Sequence, residues 1–127
     1  MDSRKTFNQD MCSWINVDST QAHEVKKLRE DFAISDEMLT YALDDNERAR
    51  VEYDPMEKAL LLIFNVPNLL KKDNHYETSP MAFVLKDHYF FSFVNERTAY
   101  VENVIENLLT NEPNQSTASL LFHTLFL

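Results

Sequence analysis

The 127-residue chain contains no glycine, a single cysteine, four prolines and one tryptophan. Glycine lets a backbone turn tightly or approach a phosphate closely, so P-loops, dinucleotide fingerprints and nucleophile elbows are all excluded. The lone Cys12 rules out an internal disulfide and any multi-cysteine zinc site, and it suits a reducing compartment. No apolar run approaches the length needed to span a bilayer, and Met1-Asp2-Ser3-Arg4-Lys5 leads into no apolar segment, so no signal peptide is expected. Positive charge is also scarce: 12 Lys and Arg stand against 21 Asp and Glu, a formal net charge of −9. Phosphate backbones and anionic headgroups would be repelled, which argues against nucleic acid and against peripheral binding to anionic lipid. Divalent cations are compatible with such a surface, although its ordinary meaning is solubility.

What is present is organised around one stretch. Ala59 to Phe64 is apolar at every position, as expected for a strand buried on both faces. Pro67 closes it, having no amide proton for a sheet ladder. Upstream, Arg50-Val51-Glu52-Tyr53 alternates polar and apolar, and Asp54-Pro55-Met56-Glu57 has turn chemistry. The segment therefore reads as a hairpin whose second strand is the centre of a covered sheet. A buried helix is the rival reading of a short apolar run, but the flanking Asp-Pro and Val-Pro pairs favour the strand.

Along the rest of the chain, residues 1 to about 11 read as a loose polar tail apart from Phe7 and Met11, and Ser13 to Asp18 as a strand. Ser19 or Thr20 caps a helix over 20–32, with Ala22, Val25, Leu28 and Phe32 on one face. Ser35 caps a second helix over 36–44, with Asp36 and Glu37 in its first turn. Asn68 to Thr78 reads as a loop or ragged strand start. Pro80 to Leu85 and Tyr89 to Val94 are strands joined by Lys86-Asp87-His88, a hairpin without the usual glycine. Asn95 caps a helix over 96–110 that Glu112-Pro113 stops, and Ser116 or Thr117 caps a last apolar helix. A chain that stops inside an apolar helical run reads as a boundary within a longer protein. The expected fold is α/β (α+β): a three-layer α/β/α domain over 12–127 with a mixed central sheet centred on Leu60 to Phe64.

Candidate chemistry is sparse. His23, His75, His88 and His123 show no metal-ligand spacing, and nothing near Cys12 supports a cysteine–histidine pair. Glu30/Asp31 and Asp44/Asp45 could do acid–base work, but acid pairs are common on solvated helix ends. No catalytic residue is assigned, and the chain reads as a non-enzyme. One cluster stands out. The second helix ends in Asp44-Asp45-Asn46-Glu47, at the pole where the dipole disfavours acids. Solvation and the nearby Arg48 and Arg50 explain it, or a cation does; Asp44, Asp45 and Glu47 are the candidate metal ligands.

The order of these pieces resembles the cytoplasmic N-terminal domain of CorA-type magnesium transporters. Trp14-Ile15-Asn16-Val17-Asp18 looks like the family's Trp-Ile-Asp/Asn strand. Phe32 to Asp44 is similar to its phenylalanine, short turn and leucine-rich second helix. Glu47-Arg48-Ala49-Arg50-Val51-Glu52-Tyr53 resembles its Arg-Pro-Arg/Lys-Val-Glu segment, and Ala82 to Leu85 with Phe90 to Val94 its late hairpin. Two departures are clear. Ala49 stands where family members have proline, and Thr40 and Tyr41 stand where some carry an acidic pair that helps bind regulatory magnesium. The family's Gly-Met-Asn pore signature cannot occur in a chain without glycine. The resemblance implies the regulatory and assembly domain of a divalent-cation (magnesium) transporter. That transporter would be a homopentamer in the cell membrane, with this domain on the cytoplasmic side and the stalk and membrane helices beyond the chain. It also implies that intracellular Mg2+ bound between cytoplasmic domains favours closure. The other reading is a stand-alone soluble interaction module on the same fold, with no transport activity.

Overall fold

The computed structural model describes residues 4–44, 48–72 and 75–125. In chain order the elements are β1 (Arg4–Phe7), β2 (Cys12–Asp18), α1 (Ala22–Phe32), α2 (Asp36–Ala42), β3 (Arg50–Asp54), β4 (Ala59–Lys72), β5 (His75–Lys86), β6 (Tyr89–Val94), α3 (Val101–Asn111) and α4 (Thr117–Leu125). The strands form one six-stranded sheet in the order β1-β2-β6-β5-β4-β3. Only β2 and β6 pair in parallel; the other neighbours are antiparallel.

Strand side chains alternate between faces, and that alternation builds two cores. Ile15, Val17, Leu61, Ile63, Ala82, Val84, Phe91 and Phe93 face Leu28 of α1 and Met38 and Leu39 of α2. Trp14, Met81, Phe83, Phe90 and Val94 face Val101, Ile105 and Leu109 of α3 and Leu120 and Leu121 of α4. The expected three-layer α/β/α arrangement with a mixed sheet is present.

The centre of the sheet is not where the sequence put it. β6 and β5 occupy the middle, and β4 lies one strand from the edge. Leu61 and Ile63 are buried against α1 and α2, but Leu60 and Leu62 are half-buried and Phe64 is 39% exposed on the other face. An uninterrupted apolar run does not reveal how far the covering helices reach.

Pro67 does not end β4, which continues to Lys72 with a bulge between Pro67 and Lys71. β3 covers β4 only from Ala59 to Ile63, so at Pro67 the outer side of β4 has no ladder bond to lose. The stretch 68–72 and 75–78 is therefore strand rather than loop.

The tail is also more ordered than its polarity suggested. Arg4–Phe7 adds an antiparallel edge strand to β2, and the burial of Phe7 anchors it. Asn8, Gln9 and Asp10 make the connecting turn with φ of 55, 57 and 64°, where asparagine and aspartate are tolerated better than most residues. The same left-handed backbone recurs at Ala33, Lys58 and Asp87, jobs that glycine usually takes. At Ala33 it closes α1, and the freed carbonyl accepts a 3.1 Å hydrogen bond from the buried Lys86 Nζ, which also pairs with Glu57 Oε2 at 3.1 Å.

Helix starts shift by a few residues. Ser35 Oγ accepts from the Met38 N–H at 3.1 Å, as expected for α2. α1 begins without a side-chain cap, because Ser19 Oγ donates to the Val94 carbonyl and Thr20 Oγ1 to Asp18. Asn95 caps a turn ahead of α3, accepting from the Arg97 and Thr98 amides at 2.8 and 3.3 Å, so the helix itself starts at Val101.

Candidate functional site

β2 and β6 run side by side in the same direction, with Asp18 opposite Val94, so both leave the sheet at one end. β2 leads into α1 on one face and β6 leads towards α3 on the other. Divergence at the carboxyl ends of parallel strands opens a crevice between the departing chains. A cleft of about 410 Å³ lies here, lined by Asn16, Asp18, Thr20, Asn95, Glu96 and Glu102 among others.

Its floor is fixed by a buried polar chain. The Trp14 Nε1–H donates to Ser92 Oγ at 2.9 Å, and the Ser92 hydroxyl donates to Asn16 Oδ1 at 2.7 Å. Ser92 is fully buried and Asn16 nearly so, in a register where Asn16 lies directly opposite Ser92. At the rim Asp18 Oδ1 accepts from the Thr20 amide at 3.0 Å and hydroxyl at 2.6 Å, which holds that carboxylate in place. Three carboxylates therefore border the cleft, and among the described residues no basic side chain lines it. Among the described residues, however, no three His, Cys, Asp or Glu side chains come close enough together to hold a metal ion. Such a surface attracts cations through its field and leaves their water shells intact.

The acids singled out from sequence lie elsewhere. Asp44 is exposed just past the end of α2, where its N–H donates to the Tyr41 carbonyl at 3.3 Å, and it does not line the cleft. Asp45 and Glu47 lie outside the described residues. Near the same corner Arg50 sits over the Tyr41 ring, 4.2 Å from its centroid, and pairs with Glu52. His23 and His88 are exposed, and His123 Nδ1 is hydrogen-bonded with Gln115 Oε1 at 2.9 Å. Cys12 is buried. Asp18, Glu96 and Glu102 were not picked out from sequence because they come from separate segments. The available signal was Asn16 and Ser92, polar residues inside otherwise apolar strands.

Residues 9–127 match the family model for CorA-like Mg2+ transporter proteins. The chain belongs to the CorA-like Mg2+ transporter family. Its fold is similar to the soluble domain of CorA from Methanocaldococcus jannaschii, with a TM-score of 0.71 at 22% identity over 98% of this chain and 49% of that one. It is similar to the complete CorA magnesium transporter from the same organism at TM-score 0.70 and 23% identity, over 94% of this chain and 38% of that one. The ZntB cytoplasmic domain from Vibrio parahaemolyticus RIMD 2210633 gives TM-score 0.69 at 16% identity, over 89% and 46%. No curated protein sequence matches the chain. This CorA-like chain thus spans about half or less of the solved chains it resembles. Among its described residues no helix is long and apolar enough to cross a membrane.

Proposed function

We propose that this chain is the cytoplasmic regulatory and assembly domain of a CorA-like magnesium transporter. In this reading the working protein is a homopentamer in the cell membrane, and its stalk and membrane helices lie in sequence beyond residues 12–127. The domain performs no catalysis of its own. The observation that carries the reading is the family match over 9–127, on a chain that spans 49% of the CorA soluble domain it resembles.

Magnesium has two roles here, as cargo and as regulator. The net charge of −9 makes neighbouring copies repel one another, and a divalent cation between facing acidic surfaces lowers that repulsion. Occupancy therefore biases the assembly towards the arrangement in which those surfaces are close, which is the closed one. Asp44, Asp45 and Glu47 are the acids proposed to hold this regulatory ion. They do so through water and at roughly millimolar affinity, because Mg2+ dehydrates reluctantly.

Titrating Mg2+ while following amide shifts tests the site. Movement centred on residues 43–48 and lost in an Asp44→Asn/Asp45→Asn variant is the expected result. Movement centred on Asp18, Glu96 and Glu102 would place the ion in the cleft, and no movement at tens of millimolar Mg2+ would remove the regulatory role.

A further inference from the structure

We propose that the outer edge of β3 is a self-recognition surface. It pairs two copies of this chain antiparallel, strand to strand, about a two-fold axis through Val51. The inference is independent of the transport reading.

β3 ends the sheet, so among the described residues its outer side has no neighbouring strand. An edge of this kind is a template for another strand unless proline, a bulge or charged side chains, lysine above all, blunt it. β3 has no proline, lysine or bulge, and its charged residues, Arg50, Glu52 and Asp54, restrict the edge to a strand of complementary charge. Val51 lies opposite Leu62 and Tyr53 opposite Leu60, so both share the sheet face that carries α3 and α4. Yet Val51 is 64% exposed, Tyr53 59% and Phe64, farther along the same face, 39%. Among the described residues the covering helices stop short of this corner, and an apolar strip runs out to the open edge.

Charge selects the partner and the register. Arg48 and Arg50 precede Val51, and Glu52 and Asp54 follow it, all on alternate positions. A two-fold axis perpendicular to the sheet keeps each face on its own side, so it must pass through a residue rather than between two. With the axis at Val51, Arg50 lies opposite the partner's Glu52, so the Arg50–Glu52 pair within each chain gains a counterpart across the axis, and Arg48, in the segment that leads into β3, lies on the side of the partner's Asp54. On the other face Val51 meets its own counterpart, and Tyr53 lies beyond the start of the partner's β3. No like charges oppose each other. Moving the axis to Arg50 or Glu52 puts two guanidinium groups or two carboxylates directly opposite, which destabilises a strand pair. The strand is thus complementary to itself in one register. A two-fold contact cannot repeat around a ring of five, so this interface is additional to any five-fold assembly.

Sedimentation equilibrium of the 127-residue chain should show a monomer–dimer equilibrium that weakens with salt. Val51→Lys, at an exposed position that leaves the cores intact, should weaken dimerisation by about tenfold or more by setting two ammonium groups on the axis. Arg50→Glu and Glu52→Arg should each lose self-association but pair with one another when mixed, since the mixed pair restores opposite charges at both positions. Circular dichroism melts confirm that each variant is folded. Arg50 also stacks on Tyr41, so a cysteine scan in a Cys12→Ala background gives a readout that leaves the charges untouched. Val51→Cys should form a covalent dimer under oxidation. Tyr53→Cys should not, because the two cysteines would be about 14 Å apart along the strands. A monomer at all concentrations, a dimer indifferent to Val51→Lys, or cross-linking at 53 rather than 51 would overturn the proposal.

Discussion

Ser92 is the residue whose loss tests the interior most sharply. Its hydroxyl is fully buried, accepts from Trp14 Nε1 at 2.9 Å and donates to Asn16 Oδ1 at 2.7 Å. Ser92→Ala fits the same space but leaves the indole N–H and the carboxamide oxygen without that partner. Each buried group stranded in this way costs about 1–3 kcal/mol. Asn16 borders the cleft and can recover a water, so the expected loss is about 2–3 kcal/mol, a large share of the ~5–15 kcal/mol that stabilises a domain. For a chain of this length that corresponds to a fall in Tm of ~10 °C. Denaturant unfolding followed by circular dichroism gives the free energy, and Trp14, the only tryptophan, reports on its own surroundings by fluorescence. A double-mutant cycle isolates the bond itself. In a Trp14→Phe background there is no indole N–H to strand, so Ser92→Ala should cost about 1 kcal/mol less. A loss below about 0.5 kcal/mol, or an equal loss in both backgrounds, would refute the network as a source of stability.

Two further outcomes follow from burial and backbone geometry. Leu61→Ala should cost about 3 kcal/mol, because Leu61 is fully enclosed between the sheet and α1/α2, whereas Leu62→Ala, on the thinly covered face, should cost less than half as much; equal losses by urea denaturation would contradict the placement of β4. Ala33→Gly should stabilise by ~0.5–1 kcal/mol by relieving a left-handed alanine at the end of α1, and a lower Tm would show that the chain is not strained there.

Much of this architecture was readable because its signals are local. The apolar stripe of α3, the Ser35 cap and the short apolar runs of β5 and β6 around Lys86-Asp87-His88 each depend on a few adjacent residues. The position of β4 was not readable, since a strand's distance from the sheet edge depends on which strands pair beside it. β1 was missed because only Phe7 of its four residues is apolar enough to reach the core, and a polar edge strand resembles a tail. The cleft was missed for a different reason. Asp18, Glu96 and Glu102 border one cleft only because β2 and β6 pair in parallel across some seventy residues of intervening chain. Asn16 and Ser92, two polar residues in apolar strands, were the one trace of it in the sequence.

The central claim is that this domain serves a magnesium transporter. The direct measurement is Mg2+ entry into proteoliposomes carrying the protein encoded by the whole reading frame, followed with a fluorescent indicator trapped inside. The account predicts an influx down the gradient that slows as Mg2+ rises on the side facing this domain, and that slows less in the Asp44→Asn/Asp45→Asn variant. Influx no faster than in protein-free vesicles would contradict it and leave a stand-alone interaction module on the same fold.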